Sequence, residues 1–460
     1  MSETRKIYKP RPVTGFPEWL PEVRLVEQQW FDHIRRVFES YGFCNIETPS
    51  IEELDVLRAK GEVDKEIYVI ERLHKDENDK GEARLALHFD QTVPLARYVA
   101  QNFNDLVFPF KRYQMQRVWR GERPQKGRFR EFYQCDIDVI GVDNLPLHFD
   151  AEMPAIMWEV MSGLPGMENE KIQIQVSNRK ILIGLLESAG VTNKEQVSQI
   201  LRILDKSEKI DIGTINVEIS KILKDHPGEA EVFHLLGLFR GYVAPEFKTR
   251  KEKIRYAREL NIDNQTYKSG VDELESVLNY IPTSIPEEDI VVNFMLVRGL
   301  DYYTGTVYET VFLDDPGYGS ICSGGRYDDL AGSYINKNLP GVGISIGFSR
   351  LFARMVDQNK LPLSAKSPAH VMMILPAEEQ RENVAAVAQI LRKRGINVEM
   401  LHAAKKIPDQ LKYASRKGIP YVWFVEADGS HQVKDMLKGE QTTADPKTWK
   451  PEGSSLHAVA

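Results

Sequence analysis

Between Glu22 and Tyr41 the apolar residues Val23, Val26, Trp30, Ile34, Val37 and Phe38 recur at near-helical spacing. Pro21 suits the first position of such a helix, and Gly42 suits the position just past its end. Phe43 to Ile46 reads as a short strand, halted before Pro49, which cannot donate to a central ladder. Residues 85–99 read as a strand, a turn and a helix, and residues 111–140 as two strands joined by a polar connection containing Gly and Pro. From about Asn178 to Ile281 the periods become helical, which predicts a helical insertion closed by the loop at 282–286. Strand character resumes in VVNFMLV, TVYETVFL and GVGISIGF. After a linker near 362–368, HVMMIL, INVEML and PYVWFV alternate with two helical stretches, the order of a small α/β domain on a mostly parallel sheet.

Composition narrows this little. A chain of 460 residues implies two to four domains, and 42% hydrophobic with 28% charged residues is ordinary globular usage. No stretch approaches the roughly 20 apolar residues that span a bilayer. The N-terminus lacks the apolar centre of a signal peptide, so a cytoplasmic protein without a membrane partner is expected. Cys44, Cys135 and Cys322 are scattered, form no C-x-x-C pair, and read as core or near-core thiols rather than zinc ligands. The net charge of −7 argues against nucleic acid as a partner, but polyanion binding needs only a local patch. Lys111, Arg112, Arg117, Arg120, Arg123, Lys126, Arg128 and Arg130 supply one, with Glu122 the acid among them. Such a run is either a solvated basic hairpin or a site for phosphates.

The strand from Phe129 to Ile140 sharpens that choice. Alternation puts Phe129, Glu131, Tyr133, Cys135, Ile137 and Val139 on a core face, and Arg130, Phe132, Gln134, Asp136 and Asp138 on the other. The second face either meets water or floors a pocket, with Phe132 offering a ring and Gln134 and Asp138 directed hydrogen bonds. The preceding Arg120-Gly-Glu-Arg-Pro-Gln-Lys-Gly-Arg128 places a guanidinium at each strand end, and guanidinium grips phosphate oxygens bidentately. Neither a P-loop nor G-x-G-x-x-G occurs, so a nucleotide here is held by another route.

Residues 118–134 resemble motif 2 of the class II aminoacyl-tRNA synthetases, in the form found in the histidyl-tRNA synthetase family. The helix and strand ending at Pro49 resemble motif 1, and Gly341-Val-Gly-Ile-Ser-Ile-Gly-Phe-Ser-Arg-Leu351 resembles motif 3. Leu296-Val-Arg-Gly-Leu-Asp-Tyr-Tyr-Thr-Gly-Thr-Val-Tyr-Glu309 and Ser323-Gly-Gly-Arg-Tyr-Asp-Asp-Leu330 resemble the two histidine signature peptides of that family. The motifs span nearly the whole chain in the family's order. Gly121 and Asp329 depart from the residues many relatives carry there.

The resemblance implies an α/β (α+β) protein: an antiparallel-sheet catalytic domain in two parts (1–177 and 286–361), a helical insertion (178–285) and a C-terminal α/β anticodon-binding domain (368–460). It implies ATP-dependent activation of L-histidine to its adenylate, then transfer to the 3′ end of tRNA(His). Mg²⁺ is expected with ATP, no permanently bound cofactor or metal site is expected, and the motif 1 likeness implies a homodimer. Arg120 and Arg298 are the catalytic candidates, Arg298 taking a position that a metal ion fills in other class II enzymes. Glu122, Arg128, Phe132 and Arg350, with Arg120, are the expected ATP ligands. Asp90, Thr92 and Gln134 are the expected anchors of the α-amino group, and Asp138 with Tyr303, beside Tyr302, the partners of the imidazole; Arg120 and Arg298 also face the amino acid. Gly341, Gly343 and Gly347 are expected to let a ligand approach the motif 3 backbone. In the C-terminal domain, Lys405, Lys406, Tyr413, Arg416 and Lys417 offer charge and an aromatic for tRNA, or simply solubility. The rival expectation is a non-catalytic regulatory subunit of histidine biosynthesis sharing the catalytic fold, which the intact first signature and the C-terminal domain oppose.

Overall fold

The computed structural model describes residues 8–58, 67–73, 84–205, 210–240, 249–298, 302–363 and 365–452. Residues 299–301 of the first signature peptide lie outside them. Two compact units emerge: residues 1–18 with 31–360, and residues 19–30 with 361–460.

The amphipathic helix α1 runs Pro21–Ser40. The larger unit is built on a sheet of strands β1 (Cys44–Asn45), β2 (Phe110–Trp119), β3 (Glu131–Ile140), β4 (Ile172–Asn178), β5 (Ile290–Val292), β6 (Thr306–Phe312), β7 (Cys322–Tyr327) and β8 (Gly341–Ile346). Their spatial order is β1-β2-β3-β8-β7-β6-β4-β5. All pairs are antiparallel except β1 with β2 and β4 with β5, which sit at the two edges. Cys135, Ile137 and Val139 are fully buried on one face of β3, but burial does not alternate, because Asp136 and Asp138 on the other face are buried as well. Helices α2 (Thr92–Gln101) and α3 (His148–Gly163) accompany this sheet, and α3 contributes Met153, Ile156, Met157 and Val160 to the core.

Among the described residues, six helices stand between β4 and β5: α4 (Arg179–Ser188), α5 (Lys194–Leu204), α6 (Ile212–Ile222), α7 (Glu229–Arg240), α8 (Arg250–Glu259) and α9 (Gln265–Tyr280). Local chemistry starts most of them. Asn178, Asn193, Asp211 and Asn264 each accept a backbone N–H of the first turn, and Thr249 with Glu252 closes a capping box. The strand expected over VVNFMLV stops at Val292, because the Asn293 side chain accepts the Met295 N–H at 3.1 Å and turns the chain. Helix α10 (Phe348–Asp357) follows β8 directly and packs on β3.

In the smaller unit, helices α11 (Arg381–Lys393) and α12 (Ile407–Lys417) accompany strands β9 (Val371–Met373), β10 (Val398–Met400), β11 (Tyr421–Val425), β12 (His431–Asp435) and β13 (Gln441–Thr443), ordered β10-β9-β11-β12-β13. Only β10, β9 and β11 are parallel. The sheet turns antiparallel after β11 because the connection to β12 is a tight turn, fixed by Asp428 accepting the Ser430 N–H at 2.9 Å, with no room for a crossover. Among the described residues no helix is long and apolar enough to cross a membrane. Cys135 and Cys322 are buried as expected, but Cys44 is exposed, since its two-residue edge strand turns both side chains outward.

Candidate active site

The β2–β3 hairpin sets Arg112 opposite Asp138, Gln114 opposite Asp136 and Gln116 opposite Gln134, so these side chains share one face. Past the end of β2, Arg120 donates from Nε to the Phe89 carbonyl at 3.1 Å, and its guanidinium lies 5.2 Å from the Phe132 ring centre. The connection tightens where Gln125 and Arg128 exchange backbone hydrogen bonds of 3.2 and 2.9 Å. Gly127 has φ +68° there, and a Cβ would fall 2.4 Å from the Tyr318 hydroxyl, so the turn requires glycine. Arg128 reaches Glu122 at 3.4 Å.

Two more arginines arrive from distant sequence. Arg350, in the first turn of α10, donates to the Tyr318 carbonyl, with its guanidinium 5.0 Å from the Tyr318 ring centre. Arg298 is ion-paired with Glu309 of β6 and lies 3.8 Å from Asp205, the residue after α5. Arg120, Glu122, Arg128, Phe132 and Arg350 all line one cavity of about 320 Å³, joined there by Arg298 and Gln134. Burial lowers the pKa of Arg350, and the positive charges of Arg128 and Arg298 lower it further. Guanidinium groups that repel one another across a shared space suit a polyanion that would neutralise them together.

The remaining expected residues lie elsewhere. Partly buried Tyr302 and Tyr303 pack beside the buried Asp138 and Tyr327, with Tyr302 4.8 Å from Tyr327 and 5.2 Å from Tyr303 between ring centres. Burial, then the neighbouring Asp138 carboxylate, raises the pKa of Tyr303. Asp90 caps α2 by accepting the Val93 N–H at 3.0 Å. Thr92 and Tyr302 line a separate cavity of about 70 Å³.

Asp138 is not waiting in isolation for a ligand. The wholly buried Arg112 contacts one oxygen at 2.6 Å, and the Tyr327 hydroxyl donates to the other at 2.9 Å. Arg112 thus leaves the basic patch and belongs to the core. The motif 3 glycines also need correction. Cβ atoms at Gly341 and Gly343 would collide with the Tyr327 ring and, at 2.1 Å, with the Asp138 carboxylate, so those two make room for side chains. Gly347 alone of the three lines the larger cavity.

Three contributors escaped the sequence reading. Glu309 holds Arg298, Ser345 accepts from Gln134 Nε2 at 2.7 Å, and buried Gln91 donates to the carbonyls of Gln116 and Gln134, each at 3.1 Å. Glu309 and Ser345 sit in strands that read as core, and only sheet register reveals their partners. Gln91 stands between Asp90 and Thr92, and its polarity beside those two assigned residues was the available signal.

An antiparallel sheet that presents arginines from a hairpin and from a strand-to-helix junction, with no P-loop, fits the catalytic unit of the aminoacyl-tRNA synthetases that the motifs resemble. The family model described as Histidyl-tRNA synthetase matches residues 15–351, and that described as Anticodon binding domain matches residues 361–448. A histidine–tRNA ligase of Thermobifida fusca is 50% identical over 455 residues, covering 98% of this chain and 100% of the relative. The chain belongs to the histidyl-tRNA synthetase family. The crystal structure of a histidyl-tRNA synthetase from a Nostoc species superposes with a TM-score of 0.83 at 36% identity, covering 95% of this chain and 97% of that one. A Bacillus halodurans structure titled ATP phosphoribosyltransferase regulatory subunit/histidyl-tRNA synthetase shares the fold, with a TM-score of 0.70, 20% identity, and 89% and 97% coverage.

Proposed function

We propose that this chain is a histidine–tRNA ligase, cytoplasmic and homodimeric, that activates L-histidine with ATP and transfers it to the 3′ end of tRNA(His). The convergence of Arg120, Arg298 and Arg350 on one cavity beside Gln134 carries the reading. Phe132 stacks on adenine, Glu122 accepts from its exocyclic amine, and Arg128 and Arg350 take the outer phosphates. Asp90, Thr92 and Gln134 anchor the α-amino group, while Asp138, Tyr302 and Tyr303 form the end that meets the imidazole.

A histidine carboxylate oxygen attacks the α-phosphorus, the bond to the bridging oxygen breaks, and pyrophosphate leaves. One anion attacks another, so the barrier is largely electrostatic, and Arg120 and Arg298 neutralise the charge that develops. The terminal ribose hydroxyl of tRNA then attacks the adenylate carbonyl, and AMP departs. Among the described residues no group of three or more His, Cys, Asp or Glu side chains is placed to hold a metal. Mg²⁺ accompanying ATP would add to the positive charge that the arginines supply.

Exchange of labelled pyrophosphate into ATP, with each amino acid in turn, tests this. Dependence on histidine is expected, with Arg298→Ala losing exchange while remaining folded. Exchange that ignores histidine, or that survives loss of Arg298, contradicts the reading. A regulatory subunit without catalysis has no use for the three convergent arginines.

A further inference from the structure

The β2–β3 face holds a buried polar row whose members are not equally satisfied. Asp138 is matched by Arg112 and Tyr327, as described. Asp136, two residues nearer the cavity and 4% exposed, has an oxygen, Oδ1, with no hydrogen-bond partner among the described residues. The adjoining Gln134 and Gln114 each leave a buried Oε1 unpartnered as well. Folded proteins rarely leave a buried acceptor empty, and a carboxylate oxygen least of all, unless something else arrives to fill it.

Position and charge say what arrives. Ser345, which lines the cavity, accepts from Gln134 and hydrogen-bonds the Asp136 carboxyl, tying Asp136 to the cavity wall. The charged groups acting on Asp136 are Arg112 from β2, Asp138 from β3 and Asp90 from the start of α2. Asp138 and Asp90 oppose the pull of Arg112, and an empty carboxylate oxygen suits a ligand that brings hydrogen-bond donors or positive charge. Tyr303, in the chain before β6, and Cys322, in β7, adjoin, both with pKa values raised chiefly by burial, so they are neutral donors at working pH. Strand rise is about 3.3 Å per residue, so Asp136 lies about one histidine side chain's reach beyond Gln134, and Asp138 a further step on.

We infer that Asp136 is a further specificity-determining residue, whose buried, unpartnered Oδ1 accepts an imidazole N–H of the substrate while Asp138, held by Arg112 and Tyr327, closes the far end of the niche. The inference rests on the histidine reading above. Asp136 serves best as an acceptor when ionised. Burial raises its pKa to about 7, against the opposing pull of Arg112 and Ser345. Histidine affinity therefore strengthens as pH rises through about 7. The substrate's own imidazole titrates nearby, but identically for wild type and variant, so it cancels from their ratio.

The test is the KM for histidine in pyrophosphate exchange, from pH 6 to pH 8, for wild type and Asp136→Asn. The variant should raise this KM roughly 10- to 100-fold at pH 8, as loss of a charged hydrogen bond does, and by less at pH 6, while the KM for ATP holds. An unchanged KM, or a ratio equal at both pH values, overturns the inference. If Asp136→Asn does not fold, Ser345→Ala substitutes: losing its bond to the carboxyl should move the midpoint of the KM profile upward, and an unmoved midpoint overturns the inference too. Wild type that fails to exchange with histidine removes the functional reading itself. Wild type that exchanges, with an indistinguishable Asp136→Asn, removes only the role of Asp136.

Discussion

Arg112 and Asp138 offer a sharp energetic prediction. Arg112 is 0% exposed, Asp138 is 6% exposed, and they meet at 2.6 Å. Arg112 Nε and Nη1 have no hydrogen-bond partner among the described residues, so attraction to Asp138 is the main compensation for burying the guanidinium. Arg112→Met leaves a buried carboxylate beside two others, and Asp138→Asn takes from the buried guanidinium its nearest counter-charge. Either change should cost about 3–5 kcal/mol, the range for breaking a buried pair from one side. At about 2.1 cal/mol/K of unfolding entropy per residue over a unit of roughly 350 residues, that lowers the thermal midpoint by roughly 4–7 °C. Removing both charges removes the desolvation penalty with the attraction, so the double variant should cost far less than the sum. Calorimetry on the four proteins reads out the cycle. Additive losses, or an Arg112→Met that costs under about 1 kcal/mol, would refute the buried-pair reasoning.

Glu309 is 1% exposed and holds Arg298, so Glu309→Gln should lower histidine-dependent pyrophosphate exchange roughly 10- to 100-fold by freeing the guanidinium from its position; exchange at the wild-type rate shows that Arg298 needs no such support. Asp136 also predicts an unusual stability profile. Its folded pKa of about 7 lies above the usual unfolded value near 3.9, so its contribution is fully present below the unfolded pKa and is lost as pH rises through about 7. Asp136→Asn should therefore melt above wild type at pH 8, by at most about 4 kcal/mol in stability, with the gap shrinking at pH 5; a variant that melts lower at pH 8 contradicts the shift.

What the sequence made legible was local. The alternation of residues 129–140, the arginines flanking the β2–β3 connection and the capped helices of the insertion follow from period, turn chemistry and neighbours a few positions apart. What stayed hidden depends on register between distant strands. Nothing near Arg112 in sequence says that it faces Asp138 rather than phosphate, because the pairing is set by the hairpin register. Glu309 finds Arg298 only once β6 takes its place in the sheet. Gly341 and Gly343 looked like ligand contacts because an absent side chain advertises space without saying what fills it, and Tyr327 and Asp138 fill it here.

The central claim is that three guanidinium groups far apart in sequence serve one triphosphate. Calorimetric titration of ATP into wild type and into the Arg120→Ala, Arg298→Ala and Arg350→Ala variants tests it most directly. Each substitution should weaken the same single binding event, and Arg350→Ala should narrow the advantage of ATP over AMP. ATP affinity that is unchanged in any of the three would place that arginine outside the site and contradict the account.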